Sequence, residues 1–465
     1  MASLVPSASH SQNVGTPWSL AAILNLIRNM KENIEKRIFD YFTNSSDFNG
    51  MPLRQISEEF NIDYKLSIDI LKDLIKEDKV IIQSSTNPNI ISFHHYPIEA
   101  QLEVLDNARD IKIEYQNQED ITIIYENTEY PICLYPSQSK LKSDRSLSEF
   151  GYSCYSMQLA YGQPQLKPLF FDIDVLDRYY NDPRFNFDFG DYSGNISCKY
   201  DEFYNPLVRK EDNVLIKSFG IGFDDQMNRV VVVYLRYLHN LTGEHQVYWK
   251  GKERHQKCTI LSEYYQSTIE GAWTSSYSIF SAFLIELKCL NELSFLIFNI
   301  NLFYESFENE KKPKEFTFFF TPTTKNYYDF ILLLDKMISE NINKSFFNDK
   351  IDLFDIKEEK GIYIKKDKGT LVLLEEWLTS MFVIEEDGSI AEIILPLKKV
   401  RKERQIPAHK INENYYDLAL IEKQKEIISD VYNSMRQLRH IFYLHPKAKR
   451  YILPKSMEEA KIISI

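Results

Sequence analysis

Glycine is scarce in this chain, 14 in 465 residues, and the few present form neither a Walker loop nor a dinucleotide fingerprint. Phosphate-cradling loops need clustered glycines so that backbone N–H groups can approach the anion, so nucleotide folds built on them are excluded. The 5 cysteines, Cys133, Cys154, Cys198, Cys258 and Cys289, are odd in number and contain no CxxC pair. That excludes a disulfide framework and a zinc ribbon, and it suits a reducing, cytoplasmic setting. No apolar run approaches the length of a membrane span, and the longest, Leu293 to Phe303, is interrupted by Asn299 and Asn301. No membrane partner is expected. Histidines His239, His245 and His255 lack compact zinc spacing, and no serine sits in a Gly-x-Ser-x-Gly elbow. The Ser-, Ala- and Pro-containing start has no charged head followed by a continuous apolar centre, so residues 1–30 are expected to be a flexible leader.

Aromatic rings are plentiful, 30 tyrosines and 30 phenylalanines, and 44% of residues are hydrophobic against 26% charged. Large rings bury much area each, so thick cores are possible, and the length suggests two to four domains. Net charge is −12 but unevenly spread. Pro396 to Lys455 holds 14 Lys/Arg against 6 Asp/Glu, a local +8, leaving −20 for the remainder. Such asymmetry points to a basic face confined to the C-terminal part, or to a solvated helix face with no partner.

The expected fold class is multidomain α+β. Over residues 31–96, helical spacing of Ile34, Ile38 and Phe42 is followed by a second helix marked by Leu53, Ile56 and Phe60. A third carries Leu66, Ile70, Leu71, Leu74 and Ile75, and then come two β-branched runs, Val80–Ile82 and Ile90–Phe93. This pattern resembles the winged helix-turn-helix superfamily over about 65 residues. Lys65, Lys72 and Lys76, with Ser67, Asp69 and Asp73, should form the outer face of the third helix. Two aspartates among three lysines match a phosphate backbone poorly, so a DNA reader and a protein-contact module both stand open, the second favoured. Residues 97–325 read as a mixed α/β domain, a candidate sensing module, with a hairpin at Asp224–Asn228. Residues 326–465 carry four helical patterns, Tyr327–Ile342, Thr370–Phe382, Ile390–Arg404 and Tyr415–Tyr443, with a small hairpin between the first two. A four-helix bundle is the expected outcome, the apolar stripe Leu420 to Phe442 being core or dimer surface.

Arg404 and His409 lie five positions apart across Pro407, which should break the helix ending near Arg404 and leave both side chains at one corner. Histidine exchanges a proton near neutral pH, and arginine stays charged and grips phosphate. RNA cleavage needs a base for the 2′-hydroxyl, a cation for the phosphorane and an acid for the leaving oxygen. Arg404 to His409, at the end of a helix in a C-terminal four-helix set, resembles the arginine-histidine motif of HEPN-domain ribonucleases. That resemblance covers roughly 120 of 465 residues. It implies a homodimer in which two motif copies form one metal-independent RNA-cleaving site, in proteins of bacterial toxin or anti-phage defence type, with separate domains controlling the nuclease. Gln405 departs from the Asn, Asp or His that family members commonly place after the arginine, whereas Arg439-His440 conforms. Arg439 with His445 is therefore a second possible pair, its bland reading being that His445 simply caps a helix end before Pro446. Lys398, Lys399, Arg401 and Lys402 would bind flanking phosphates, and Lys410 or Asn412 would position the strand; the bland reading is an amphipathic helix with cations near its C-terminus. Asp172, Asp174 and Asp177 could hold magnesium but read better as an acidic helix start, so neither metal nor other cofactor is implied. The alternative function is a non-catalytic DNA- or protein-binding regulator that dimerises through its bundle.

Overall fold

A computed structural model of the chain describes residues 20–465 apart from 46–47, 83–95, 119–120, 129–130, 152, 273–275, 308–310, 360–361, 383–388, 407–412, 455–456, 458–460 and 464–465. It is a mixed α+β molecule of two compact units. The first is Met1–Pro168 with Tyr234–His239, and the second is Leu169–Val233 with Asn240–Ile465.

In the first unit, helix α1 (Leu20–Asn44) begins inside the stretch expected as a leader. Helix α2 (Leu53–Phe60) ends on Asn61, whose left-handed backbone (φ 48°) turns the chain into α3 (Tyr64–Lys76). Asp63 caps α3, its carboxylate accepting from the N–H of Lys65 (2.9 Å) and Leu66 (3.3 Å). Ile34, Ile38, Leu53, Ile56, Ile68, Leu71 and Leu74 meet in one core. Strands β1 (Met51–Pro52) and β2 (Val80–Ile82) do not pair with each other. Helix α4 (Ile98–Asn107) and an isolated antiparallel hairpin, β3 (Ile113–Gln118) with β4 (Ile121–Glu126), intervene before β5 (Cys133–Pro136) enters between them. Met51 faces Leu134 and Ile81 faces Tyr135, both ladders antiparallel. The second wing strand expected at Ile90–Phe93 lies outside the described residues. Gln101 of α4 accepts from the Ile82 N–H (3.1 Å), supplying a strand-like partner from a side chain.

The second unit is a sheet with a helical layer. Strands β6 (Pro168–Asp172), β7 (Phe185–Phe189), β8 (Ser193–Cys198), β9 (Leu215–Asp224), β10 (Arg229–Tyr234), β11 (Glu253–Arg254) and β12 (Cys258–Ile260) form it, in the order β11-β6-β10-β9-β8-β7 with β12 on β9. The β9–β10 hairpin closes as expected at Asp224, whose carboxylate accepts from Gln226 N (2.9 Å) and Asn228 N (2.8 Å). Phe189, Phe219, Phe318 and Phe320 stack and cross edge-on over it. Five long helices come after the sheet: α5 (Ile279–Phe298), α6 (Thr324–Ile338), α7 (Thr370–Met381), α8 (Ile390–Gln405) and α9 (Ala419–Tyr443). The four helical patterns read from the sequence stand within a few residues of their expected bounds. The helical layer also includes α5, which packs along α9, while α8 rests on α6, α7 and α9. Leu420, Ile428, Val431, Met435, Leu438 and Phe442 of α9 are buried within the chain, so this stripe is core. A small antiparallel hairpin (Phe354–Glu359 with Ile362–Asp367) joins α6 to α7 as anticipated.

Candidate functional site

Helix α8 starts on a capping box, the Ser389 hydroxyl accepting from the Glu392 N–H and the Glu392 carboxylate from the Ser389 N–H. Its last turns carry Arg401 and Arg404, three residues apart and so on one face. That face meets Asp335 of α6, which is fully buried. Asp335 Oδ2 accepts from Nη1 of Arg401 (2.8 Å) and of Arg404 (2.6 Å). Glu340, just past the end of α6, pairs with Arg404 as well and lies 3.5 Å from Arg401, and Ser339 Oγ accepts from Arg401 (3.1 Å). Two guanidiniums thus face two carboxylates. A buried carboxylate without such partners would cost several kcal/mol, so the cations account for Asp335 being inside. The same acids hold the Arg404 pKa above its ordinary value, chiefly through the hydrogen bonds to Asp335 and Glu340. Both contacts use Nη1. Among the described residues Nε and Nη2 of Arg404 have no partner, and its side chain keeps 29% of its exposure.

His409, Lys410 and Asn412 lie outside the described residues. The rest of the basic run is largely engaged: Lys398 with Glu375 (2.5 Å), and Lys399 at 3.9 Å from Asp430. Lys402 is exposed beside a groove of about 310 Å³ between α8 and α9, whose lining includes Pro396, Lys399, Ile406, Lys423 and Asp430. Lys423 reaches Glu403 (3.2 Å) across it.

The second pair separates. Arg439 Nε donates to Glu286 of α5 (2.5 Å), a carboxylate 1% exposed, and Nη2 adds a longer bond (3.4 Å). Burial raises the Glu286 pKa and the Arg439 contacts pull it back. His445 Nδ1 accepts from the Lys447 N–H (3.2 Å), capping the short turn Pro446–Arg450, and its ring tilts against Phe298. Arg439 is an interhelical tie and His445 a cap.

On the third helix, Lys65 and Lys76 are exposed, but Lys72 is bound to Asp106 of α4 (2.5 Å) and Asp69 to Arg109. Ser67, expected on the outer face, is buried, its hydroxyl bonded to the Asp63 carbonyl (3.2 Å). Helix α4 therefore covers part of the α3 surface that a DNA reader would present. Asp172 and Asp174 pair with Arg254 and with Lys252 (2.7 Å), and Thr321 donates to Asp177. Among the described residues no group of His, Cys, Asp and Glu has the arrangement of a metal site, and no helix is long and apolar enough to cross a membrane.

Sequence reasoning missed Asp335 and Glu286. The available signal was an acid at a core position of an apolar helical pattern, as in Ile331-Leu332-Leu333-Leu334-Asp335 and Leu284-Ile285-Glu286-Leu287. No protein-family model, no curated protein and no solved structure matches the chain.

Proposed function

We propose that the chain is a HEPN-type endoribonuclease whose site is built on Arg404 and His409 in the second unit, with the first unit controlling it. The observation that carries this reading is the half-anchored guanidinium of Arg404. One edge is fixed by Asp335 and Glu340, and the other is open at the end of α8, five positions before His409 in the chain. Anchoring one edge removes the rotamer freedom an arginine would otherwise lose on gripping a phosphate. In the cleavage step His409 takes the proton of the ribose 2′-hydroxyl, the 2′-oxygen attacks phosphorus, and Arg404 carries the charge gathering on the phosphoryl oxygens. The 5′-oxygen leaves by taking the proton back from the imidazolium so formed, yielding a 2′,3′-cyclic phosphate and a 5′-hydroxyl. Lys402 and Lys399 on the α8–α9 groove supply flanking cations. As in the family it resembles, the site would be completed by a second copy, in a defence or toxin role. The test is incubation of the purified protein with total RNA in EDTA. Cyclic-phosphate ends should form with the wild type and be lost with His409→Ala; undiminished cleavage by the variant rejects the site.

A second reading has its own support. The acids around Arg401 and Arg404 cancel both cations, which suits a purely structural tie, and helices α1, α2 and α3 with the sheet ordered β1-β5-β2 support reading the first unit as a winged-helix module. With Lys72 tied to Asp106 of α4 and Asp69 to Arg109 just past its end, that module would contact protein rather than DNA. A gel shift with duplex DNA that is lost on replacing Lys65, Lys72 and Lys76 by alanine would instead favour a DNA-binding regulator.

A further inference from the structure

Between β8 and β9 the chain makes a tight loop that holds apolar rings out into water. Phe203 is 74% and Tyr204 88% exposed, with Tyr200, Pro206, Leu207 and Leu215 exposed around them. This is not a floppy excursion. The Asp201 carboxylate accepts from Phe203 N (2.9 Å), Asn205 N (2.8 Å) and Asn205 Nδ2 (3.2 Å), and a bridge between Tyr200 and Pro206 closes the base. Tyr204 sits at φ 62°, a left-handed conformation disfavoured for a bulky residue and kept only where its surroundings over-determine it. A rigid loop presenting rings at an energetic cost is the form of an interface anchor, because stiff aromatics lose little entropy on contact.

Charge at the rim chooses the partner. Lys210 and Lys217 stand against Glu202 and Glu211, all exposed, and Arg209 is paired with Asp212 (3.2 Å). RNA or an anionic membrane would call for an excess of cations, which this rim lacks. A twofold contact sets a patch against itself, so a patch of one sign repels and a balanced one does not. Balance matters the more in a chain of net charge −12. Three rings of roughly 150–250 Å² each, with the leucines and proline, offer a large part of the ~800 Å² per partner of a standard interface. The apolar stripe of α9 is already consumed within the chain and cannot serve.

We infer that the loop 200–207, with Leu215 and Lys217 of β9, is the contact through which a second copy of this chain docks about a twofold axis. The inference bears on the function proposed above because a composite site needs two copies, but the contact is tested without RNA. Sedimentation equilibrium of the full chain at micromolar concentration should show a dimer. The double variant Phe203→Ser/Tyr204→Asn removes both rings while keeping a residue that tolerates φ > 0. It should weaken the dimer roughly 100-fold or more with an unchanged circular dichroism spectrum. Lys210→Glu/Lys217→Glu, which turns the rim acidic, should also dissociate it, and added salt should restore part of the affinity. A monomeric wild type, or a dimer that survives both variants, overturns the inference. Loss of the dimer with no RNA cleavage by the wild type would leave this contact standing and reject the nuclease.

Discussion

The Tyr179–His245–Trp249 cluster of the second unit has one consistent arrangement of protons. Trp249 Nε1–H can only donate, and it does so to the Tyr179 hydroxyl oxygen (2.9 Å), so the Tyr179 proton goes to His245 Nδ1 (2.7 Å). His245 is then the neutral tautomer protonated at Nε2, the atom that lies 4.0 Å from Asp212. Burial, with the Arg178 guanidinium nearby, pushes the His245 pKa down to about 4, and Asp212 opposes them weakly. The unfolded histidine takes up a proton near its usual 6.5 and the folded one does not. Stability from this residue is therefore intact above pH 6.5 and falls progressively as pH drops to about 4, by a total of ~3 kcal/mol. Melting temperatures at pH 7 and 4.5 should fall further apart in the wild type than in His245→Asn, which keeps an acceptor for Tyr179; equal shifts would sink the assignment. The Arg439–Glu286 tie makes a second expectation. Arg439→Ala leaves a carboxylate buried among the helices and should cost about 3–5 kcal/mol, while Arg439→Met with Glu286→Leu recovers most of it. Urea unfolding measures both, and a near-neutral single variant would return Arg439 to the candidate site. Neither role could be read in the sequence. Arg439-His440 matches the family pattern better than Arg404-Gln405 does; both arginines meet a buried acid from a distant helix, and what separates them is that Arg404 bonds through Nη1 alone whereas Arg439 is tied to Glu286 through Nε and Nη2.

At the scale of elements, local signals were legible and long-range pairing was not. The Asp224–Asn228 turn, the helical pattern Ile390–Arg404 and the stripe from Leu420 to Phe442 all write their structure into neighbouring residues. The strand Cys133–Pro136 does not, because nothing near it says that it will slide between β1 and β2 after a long insertion. Helix α5 is similar: its periodicity announces a helix, but its packing along α9 depends on residues more than a hundred positions away. Gly220 shows how such contacts are secured. A Cβ there would stand 2.2 Å from the ring of Tyr264, so the close approach of that ring to β9 requires glycine. Gly220→Ala should cost about 1–3 kcal/mol by forcing the buried Tyr264 aside. Ser389→Ala, which only removes a cap, should cost ~1 kcal/mol. Thermal unfolding of the two variants tests the order, and a larger loss at Ser389 would mean that Tyr264 has room to move.

For the whole molecule, the division of the chain matters more than its net charge, since part of the basic excess after Pro396 is met by Glu375, Asp335, Glu340 and Glu286, acids from earlier in the chain. The first unit is discontinuous: it takes back residues 234–239 from the middle of the second. Tyr234, Leu235 and Leu238 of that short return are buried, and its helix packs on Cys154–Ala160. Leu235 N and Arg236 N donate to the carbonyls of Lys167 (3.0 Å) and Gln165 (2.9 Å), and Ser156 Oγ donates to His239 O (3.1 Å). Burying three such side chains contributes on the order of 5–8 kcal/mol, comparable with the whole stability of an ordinary domain. A fragment ending at Pro168 should consequently melt without a cooperative transition, although it holds helices α1 to α4 and the β1-β5-β2 sheet. The same fragment with 234–239 joined on through a flexible linker should regain a cooperative melt, as read by circular dichroism. If the bare fragment melts just as sharply, those six residues are a passenger and the first unit is closed by the N-terminal segment alone.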